Sequence, residues 1–414
     1  MTTRTILPRV KLPTVSGVRK KLQTELSHEK PSIVSIVSLL IEDAIEHNAS
    51  DIHIEPNATD LVIRLRIDGE LRITHHLPKS VHAELIARIK ILANVRTDEH
   101  YAPQDGRFPF EGADIRASIL PTYYGENIVL RLLRPLATIP TLESLGFNAI
   151  NSALVQQALA RPSGLILVTG PTGSGKTTTL YSLVRQRATE PQSVVTIEDP
   201  IEYSLPGITQ VQTNARAGLT FATGLRAILR QDPDVIMVGE IRDEETAGLA
   251  INAALTGHLV FATLHTNDSL SSFMRLVDLG IEPYLIASTV SLVVAQRLVR
   301  LVCIECAEAY TPSLEALEDL LPCLDEEKSF NWKRAVGCAS CDGTGYKGRI
   351  SANEVLPAAV LREYIQDEPQ TSIFASSQAE ALIENGMTTL YADCIQKAAL
   401  GITTLEEALR IRHA

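Results

Sequence analysis

The chain has 414 residues, of which 45% are hydrophobic and 21% charged, so it can build ordinary globular cores and extensive disorder is excluded. A chain of this length predicts two to four domains, at about 100–200 residues for each domain. The net charge of −11 disfavours a general nucleic-acid-binding protein, and the longest nearly uncharged apolar stretch, Leu285–Ala295, is too short to cross a bilayer.

The first 30 residues carry a charge opposite to that of the rest of the chain. They contain seven Lys or Arg residues against Glu25 and Glu29, they show no periodicity, and they lack the apolar core of a signal peptide. We therefore predict a basic arm or linker over residues 1–30, in a protein that is soluble and not exported. Such an arm could contact an anionic membrane surface or an acidic partner, and a solvated tail fits the same composition equally well.

Residues 31–135 combine helical and strand-like patterns and predict a small α+β domain. Ser32 is suited to cap a helix, because apolar residues recur at helical spacing after it. Asp68-Gly69 is a hairpin turn signal. The predicted elements are a helix over 33–47, strands over 51–55 and 61–67, a helix over 81–94, and strands over 115–120 and 128–133. A linker over residues 136–143 follows.

Between residues 144 and 300, short apolar strands alternate with helical segments, which is the βαβ pattern of a doubly wound α/β core. Each strand is apolar throughout rather than two-faced, as in a parallel sheet that is covered on both sides. The predicted strands are Leu165–Thr169, Val194–Ile197, Val235–Val238 and Leu259–Thr263.

The first of these strands runs into a glycine-rich loop that fits the phosphate-binding pattern G-x-x-x-x-G-K-[ST]. Its glycines let backbone N–H groups surround phosphate oxygens at the positive end of the helix that follows. Lys176 is expected to meet the β- and γ-phosphates of a nucleotide, and Thr177 to hold Mg²⁺. The predicted nucleotide-binding residues of this loop are Gly170, Pro171, Thr172, Gly173, Ser174, Gly175, Lys176, Thr177 and Thr178.

Polar side chains follow the other three strands, whose carboxyl ends should share one edge of the sheet with the glycine-rich loop. Glu240 comes after the third strand and is our first choice for the base that polarises the attacking water. Glu198 and Asp199 follow the second strand, so Glu198 is a second candidate base and Asp199 a candidate nucleotide contact. His265 follows the fourth strand and is predicted to contact the γ-phosphate, although a lone histidine is more often structural.

Six cysteines lie after residue 300, and four of them form two C-x-x-C pairs, Cys303, Cys306, Cys338 and Cys341. In a chain that is not exported, this spacing indicates a tetrahedral Zn²⁺ site rather than disulfides. Because a closed four-cysteine site has no open position, we predict a structural zinc-binding element over residues 301–349. Cys323 and Cys394 are predicted to be ordinary thiols. The remaining residues, 350–414, are predicted to form a helical C-terminal region.

Four motifs in this order resemble those of the ATPases of type II secretion and type IV pilus assembly, the general secretory pathway protein E and pilus assembly protein B group. They are GPTGSGKTTT (170–179) as Walker A, TIEDPIE (196–202) as the aspartate box, LRQDPDVIMVGEIRD (229–243) as Walker B and TGHLVFATLHTND (256–268) as the histidine box. Further segments are similar to that family's second N-terminal domain, namely SDIHIEP (50–56), RLRIDG (64–69), QDGR (104–107) and GENIVLRLL (125–133). The resemblance extends from about residue 31 to residue 412.

The resemblance implies a RecA-like P-loop NTPase core behind a smaller α+β, PAS-like domain. It implies a cytoplasmic, homo-oligomeric ring, usually a hexamer, that hydrolyses Mg·ATP at the inner membrane face and moves an inner-membrane platform protein. Arginines of the smaller domain are implied to close on the phosphates. Arg107 and Arg116 match them by motif, and Arg64 and Arg66 are weaker candidates. Retraction-type members typically lack the zinc element, so the cysteines favour assembly or secretion over retraction.

Members of this family usually carry a further N-terminal domain that docks on the platform protein, whereas this sequence shows a basic arm before the second domain. Two alternatives therefore stay open, a structural ring subunit that binds ATP and zinc without turnover, and a nucleic-acid translocase. The first is disfavoured by a complete set of hydrolysis residues, Lys176, Glu198, Glu240 and His265. The second is disfavoured by the acidic net charge and the lack of a basic, aromatic groove, so we expect no stable nucleic-acid binding.

Overall fold

A computed structural model describes residues 17–133, 139–313, 320, 323–324, 330–357, 359–360, 362 and 387–412. The chain divides into two compact units, one up to Leu136 and the other from Ala137 onwards. Each unit has its own hydrophobic core, as expected for domains of this size. No helix within the described ranges combines the length and the apolar composition that a bilayer crossing needs.

The N-terminal unit is an antiparallel sheet that packs against helices on one face. Its described elements are α1 (Gly17–Leu26), α2 (Ile33–Glu46), β1 (Asp51–Pro56), β2 (Asp60–Ile67), β3 (Glu70–Pro78), α3 (His82–Leu92), β4 (Gln104–Phe110), β5 (Ala113–Thr122) and β6 (Gly125–Leu133). The sheet has the strand order β3-β2-β1-β6-β5-β4. Aliphatic side chains on one face of the strands are buried with those of α2 and α3, so the opposite face is left to polar and charged residues.

The elements predicted from periodicity in this unit are present. Ser32 caps α2 by accepting a hydrogen bond from the backbone N–H of Ser35 at 3.3 Å. Asp68 and Gly69 have φ values of 50° and 90°, as the tight turn between β2 and β3 requires. The sequence did not predict β3 and β4, because β4 contains a glycine and a proline and the pairing of β2 with β3 shifts register after Ile63.

Residues 17–26, predicted as part of an arm, form helix α1. Leu22 is fully buried in the core of the N-terminal unit, and Arg19 Nε lies 3.2 Å from Asp43 Oδ1 of α2. The prediction of an arm is therefore wrong for this stretch. A short helix with one buried residue depends on tertiary contacts, which periodicity in the sequence does not reveal. The rest of the predicted arm up to residue 16 lies outside the described residues.

The C-terminal unit is built around a seven-stranded sheet. Its described elements are α4 (Leu142–Leu145), α5 (Ala149–Leu159), β7 (Gly164–Thr169), α6 (Lys176–Arg187), β8 (Val194–Glu198), β9 (Thr209–Gln212), α7 (Phe221–Ile228), β10 (Val235–Val238), α8 (Glu244–Leu255), β11 (Leu259–Leu264), α9 (Ser269–Asp278), α10 (Pro283–Thr289), β12 (Val290–Val302), β13 (Glu308–Ala309), β14 (Lys333–Arg334), β15 (Tyr346–Pro357), α11 (Leu390–Ala399) and α12 (Leu405–Arg412). The strand order is β15-β12-β7-β11-β10-β8-β9, and neighbours are parallel except for β12 and β15. The carboxyl ends of β7, β11, β10 and β8 therefore lie side by side on one edge.

Both faces of this sheet are covered by helices, which explains the uniformly apolar strands. Leu165 and Leu167 of β7 share a core with α7 to α10, whereas Ile166 and Val168 share the opposite core with α5 and α6. The doubly wound α/β core that the sequence predicts is thereby confirmed. The four predicted strands match β7, β8, β10 and β11 to within one residue at each end.

The sheet continues beyond residue 300, where the predicted core ends. β12 runs to Val302, and β15 pairs with it antiparallel, so the four cysteines lie in an insertion between these two strands. The prediction of a helical region from residue 350 is therefore wrong for 350–357, because the partner of this strand lies more than forty residues earlier in the chain. Helices α11 and α12 confirm the helical end, and residues 363–386 lie outside the described ranges.

Candidate nucleotide and metal sites

The glycine-rich loop at 170–175 joins the end of β7 to the start of α6. Gly170, Gly173 and Gly175 have φ values of 144°, 79° and 91°, in the region that residues with a Cβ rarely adopt. At Gly170 a Cβ would also lie 2.4 Å from the carbonyl oxygen of Gln296 on β12. Glycines are therefore required for this path, which presents backbone N–H groups ahead of a helix N-terminus.

Two buried side chains of this region are suited to hold an anion. Lys176 is 9% exposed, and its Nζ donates to the carbonyl oxygens of Gly170 at 2.8 Å and Pro171 at 3.0 Å. Burial lowers the pKa of the Lys176 ammonium group, and the charge of Glu240 partly opposes this shift. Within the described part of the chain, the buried hydroxyl of Ser174 has no hydrogen-bond partner. A phosphate would supply the charge and the acceptors that these groups need.

The other predicted nucleotide contacts are open to a ligand. Thr172 and Thr177 are exposed, Pro171 and Thr178 are partly exposed, and Asp199 is exposed just after β8. Oxygen atoms are the ligands that Mg²⁺ prefers, and hydroxyls and carboxylates supply them at this edge of the sheet. The Thr177 hydroxyl in the first turn of α6 therefore fits the predicted Mg²⁺ contact.

Glu240 and His265 meet at the carboxyl ends of the neighbouring strands β10 and β11. Glu240 Oε2 lies 3.3 Å from His265 Nε2 and 2.6 Å from Arg242 Nε. The Glu240 side chain is 12% exposed, whereas the His265 side chain is 49% exposed, so the carboxylate is sheltered and the imidazole reaches solvent. Gly239 allows β10 to end close to β8, since a Cβ there would lie 3.2 Å from the carbonyl oxygen of Ile197. This arrangement can accept a proton from water and donate a hydrogen bond to an anion.

Glu198, the second candidate base, is fixed by hydrogen bonds from three neighbouring side chains. Its carboxylate accepts hydrogen bonds from the hydroxyl of Tyr181 on α6, from Thr196 Oγ1 at 2.6 Å and from Gln210 Nε2 at 3.1 Å. Burial, together with the charge of Glu198, raises the pKa of Tyr181 and keeps this phenol a donor. Glu198 ends β8, three strands from β7, whereas Glu240 follows β10, two strands from β7; at the usual strand spacing these are about 14 and about 10 Å. The geometry therefore favours Glu240 over Glu198 as the base.

A threonine pair that sequence reasoning missed ties the glycine-rich loop to the turn that carries His265. Thr169 Oγ1, at the end of β7, lies 2.6 Å from Thr266 Oγ1 and accepts a hydrogen bond from the Thr266 N–H at 3.0 Å. Thr266 Oγ1 in turn lies 2.7 Å from Ser272 Oγ of α9. Thr266 lies in the histidine box and Thr169 ends a predicted strand, but nothing in the sequence marks them as partners, because only the adjacency of β7 and β11 brings them together.

In the N-terminal unit, the predicted arginines Arg107 and Arg116 are cross-strand neighbours. Arg107 of β4 lies opposite Arg116 of β5, which lies opposite Arg131 of β6. Residues directly opposite one another project from the same sheet face, so these three side chains form an arginine row on the face away from the helices. Arg107 pairs with Asp114, and Arg131 Nε lies 3.0 Å from Asp51 Oδ1. Sequence reasoning missed Arg131, because only the strand register aligns it with the other two.

The weaker arginine candidates lie on the same sheet face and are paired with acidic residues. Arg64 pairs with Glu55, and Arg66 Nε lies 3.6 Å from Asp51 Oδ2. Asp51 therefore stands between Arg66 and Arg131 in the register. On this face of the sheet the arginines are therefore interleaved with carboxylates.

The four cysteines predicted to bind zinc converge in the insertion between β12 and β15. Their sulfur atoms lie within 4.8 Å of one another, with Cys303–Cys338 at 3.9 Å, Cys306–Cys341 at 3.8 Å and Cys338–Cys341 at 3.7 Å. A tetrahedral site with Zn–S bonds of about 2.3 Å requires sulfur atoms about 3.8 Å apart. The residues present therefore fit Zn²⁺.

Backbone N–H groups support the sulfur atoms of this cluster. The Gly337 N–H donates to Cys306 Sγ at 3.3 Å, and the N–H groups of Cys338 and Gly345 donate to Cys341 Sγ at 3.2 and 3.1 Å. Burial raises the pKa of Cys306 to about 12. Burial also acts to raise the pKa of Cys341, but the N–H donors together with hydrogen bonds from the Cys306 and Cys338 thiols outweigh it and lower this pKa to about 7. Such outer hydrogen bonds are typical of metal-binding cysteines.

A glycine-rich loop between a buried parallel strand and a helix, beside a sheltered carboxylate, is the defining arrangement of the P-loop nucleotide-binding proteins. Within that class, a family model described as Type II/IV secretion system protein matches residues 26–410. The chain belongs to this type II/IV secretion system protein family. The resemblance seen in the sequence motifs is thereby confirmed.

Curated relatives match nearly the whole of this chain. The type IV pilus assembly ATPase PilB of Thermus thermophilus is 45% identical over 398 residues, which are 94% of this chain and 44% of that protein. The type II secretion system protein HxcR of Pseudomonas aeruginosa is 45% identical, covering 92% of this chain and 77% of that protein. The type II secretion system ATPase E of Vibrio cholerae is 43% identical, covering 93% and 76%. The chain thus spans less than half of the first relative and about three quarters of the other two.

Solved structures share the fold. The pilus retraction motor PilT with bound ADP has a TM-score of 0.60 at 28% identity, covering 91% of this chain and 96% of that chain. The ATPase DotB of Legionella pneumophila has a TM-score of 0.67 at 24% identity, covering 94% and 98%. These likenesses confirm the predicted fold class, a RecA-like α/β core.

Proposed function

We propose that the chain is a Mg²⁺-dependent ATPase motor that powers type IV pilus assembly or type II secretion. The observation that carries this proposal is the approach of Glu240 to His265, 3.3 Å apart, on the same sheet edge as the glycine-rich loop and Lys176. Relatives that are 43–45% identical are named as ATPases of these two systems. The four-cysteine cluster adds support for assembly or secretion over retraction.

In the proposed reaction, the N–H groups of the glycine-rich loop and Lys176 bind the β- and γ-phosphates. Thr177 would hold Mg²⁺, which supplies charge neutralisation when it is bound. The oxygen of a water molecule attacks the γ-phosphorus, the bond to the bridging oxygen breaks, and Glu240 accepts the proton. His265 donates a hydrogen bond to the γ-phosphate, while Glu198 orients Tyr181 and with it the first turns of α6.

The proposal includes a homo-oligomeric ring, a hexamer, located in the cytoplasm at the inner membrane face and coupled to an inner-membrane platform protein. Arg107 and Arg116 are proposed to contact nucleotide phosphates during turnover. A planar guanidinium suits this task, because it offers several donors and stays charged. The alignment of Arg107 and Arg116 in one cross-strand row supports this part of the proposal.

Replacing Arg116 with Gln is expected to lower kcat about tenfold with little change in KM for ATP, because one charge-assisted hydrogen bond to the phosphates is lost. Steady-state hydrolysis at several ATP concentrations measures both constants. Arg334→Gln is the matched control, since Arg334 is an exposed arginine of the cysteine insertion paired with Glu308. Equal kcat values for the two variants would contradict the proposed role of Arg116.

Replacing Lys176 with Ala is expected to weaken ATP binding by at least about tenfold, because a buried ammonium–phosphate contact is removed. Steady-state hydrolysis, titration with ATP and the mass of the particle by light scattering test the proposed function together. The exposed Lys20→Ala is the matched control and should behave as the wild-type chain. Turnover that depends on Lys176 in a hexamer-sized particle supports the proposal. Tight ATP binding without turnover would instead support the structural-subunit alternative.

A further inference from the structure

One buried carboxylate of the C-terminal unit bonds to the N-termini of two helices. Glu354 of β15 is 5% exposed, and its Oε1 accepts hydrogen bonds from the Ser269 N–H at 2.9 Å and from the Ser269 hydroxyl at 2.5 Å. Its Oε2 accepts a hydrogen bond from the Leu390 N–H at 3.2 Å. Ser269 and Leu390 are the first residues of α9 and α11, so neither N–H has a partner inside its own helix. A negative charge at these positions is also favoured by both helix dipoles.

The hydrogen bonds from Ser269 to Glu354 fix the start of α9, which is where the turn that carries His265 ends. Three residues separate His265 from Ser269; Thr266, the first of them, is bonded to Thr169, and Ser269 is bonded to Glu354. In the sheet, Glu354 pairs with Ala295, which pairs with Thr169, so both of these partners belong to one row of strand residues. Thr266 Oγ1 also lies 2.7 Å from Ser272 Oγ of α9, so a displacement of the start of α9 reaches Thr266, the residue next to His265.

The α11 side of the contact leads to the C-terminal helices and the cysteine insertion. Leu390 and Cys394 of α11 share a core with Trp332, which lies in the insertion between β12 and β15. Asp393 of α11 also accepts a hydrogen bond from the backbone N–H of Asn353 at 2.8 Å, one residue before Glu354. A movement of α11 is therefore transmitted to β15 at this point, because the contacts are buried and closely packed.

We propose that Glu354 is a positioning residue for hydrolysis that couples the C-terminal helices to His265. When α11 shifts, the carboxylate transmits the shift to Ser269, and His265 approaches or leaves the γ-phosphate. The inference rests on the proposed function, since it takes His265 to act in hydrolysis. It differs from a simple helix cap, because one side chain accepts hydrogen bonds from the N-termini of two helices. One is α9, which follows the turn of His265, and the other is α11 near the C-terminal end.

Glu354→Gln tests the coupling with little change in side-chain size. The amide offers one acceptor oxygen where the carboxylate offers two, so its NH₂ group faces one of the two helix N–H groups. We expect kcat to fall about tenfold while KM for ATP stays within about twofold, because the glycine-rich loop is unchanged. We also expect faster hydrogen exchange at the starts of both α9 and α11, measured on the full chain.

Glu407→Gln is the matched control for the loss of a buried carboxylate. Glu407 of α12 is 3% exposed and bonds to the Arg300 N–H at 2.9 Å and to its side chain, so it supports the C-terminal helices through β12. This variant should keep kcat within about twofold of the wild-type value, because it leaves the contact with Ser269 intact. If Glu354→Gln does not fold, Ser269→Ala removes the hydroxyl bond alone and should shift kcat in the same direction.

An unchanged kcat in Glu354→Gln, or faster exchange at one helix start without the other, would overturn the coupling and leave Glu354 as a cap. A parallel loss of kcat in Glu407→Gln without faster hydrogen exchange at the starts of α9 and α11 would also overturn it, since the loss would then not pass through Glu354. If the wild-type chain does not hydrolyse ATP, the proposed function fails by itself. The hydrogen-exchange measurement still tests the coupling in that case. Faster exchange at the starts of both helices supports the coupling, and faster exchange at only one of them contradicts it.

Discussion

Exchanging Glu240 for glutamine is expected to lower kcat for ATP hydrolysis by about 100- to 1000-fold, while the affinity for ATP changes by less than about threefold. Glutamine keeps the size of the side chain and an oxygen that can still meet Arg242 and His265. It cannot accept a proton from water at neutral pH, so the step that activates the nucleophile is lost. ATP binding depends instead on Lys176 and the glycine-rich loop, which the substitution leaves in place.

Steady-state hydrolysis and equilibrium titration with a fluorescent ATP analogue measure the two quantities separately. Glu244→Gln, at an exposed position of α8, is the matched control and should leave both unchanged. Glu198→Gln keeps one acceptor oxygen and loses the bond from either Tyr181 or Thr196, which should lower the free energy of unfolding by about 1–3 kcal/mol. It distinguishes the two candidate bases, because its kcat should fall much less than that of Glu240→Gln. Wild-type turnover in Glu240→Gln would exclude Glu240 as the base.

The nucleotide site could be predicted from the sequence because its parts are local. A glycine-rich loop between an apolar run and a helix is readable from one stretch, and parallel strands bring their carboxyl ends to one edge. That rule alone placed Glu240 and His265 together, and the structure puts them 3.3 Å apart. The sequence already ranked Glu240 above Glu198, and the structure adds the bonds of Glu198 with Tyr181 and Gln210, which depend on tertiary contacts.

The residues that sequence reasoning missed act through pairings between distant segments. Arg131 joins Arg107 and Arg116 only through the register of β4, β5 and β6. Thr169 and Thr266 meet because β11 lies beside β7, although almost a hundred residues separate them in the chain. Such pairings leave no periodic signal in the sequence, so one sequence alone cannot reveal them.

The errors in the predicted boundaries have a similar cause. β15 pairs with β12 across the whole cysteine insertion, so the strand belongs to the core sheet and not to the C-terminal helices. Helix α1 was missed because it buries a single leucine and is held by its contact with α2. In contrast, the spacing of the four cysteines predicted their cluster. Each C-x-x-C pair is local in the sequence, and a tetrahedral zinc site needs two such pairs together.

Removal of zinc is expected to unfold the part of the cysteine insertion around the metal, whereas Trp332 of the insertion packs in a core with the C-terminal helices. Strands β13 and β14 of the insertion pair over two residues each, and few of the insertion's described side chains are buried. A structural zinc site contributes roughly 10–16 kcal/mol to the folding of small domains at neutral pH. The parallel sheet has its own two cores and should remain folded with the glycine-rich loop in place.

Cys338→Ser removes one ligand of the cluster and should release the metal, whereas the wild-type chain should hold about one zinc ion. Elemental analysis measures the metal, and limited proteolysis should then cut first between residues 304 and 337. Cys394→Ser is the matched control, because Cys394 is a buried thiol outside the cluster and its loss should leave zinc bound. A metal-free insertion that resists proteolysis would contradict the zinc prediction. Both variants remove a thiol sulfur, so a difference between them isolates the contribution of the metal from that of cysteine packing.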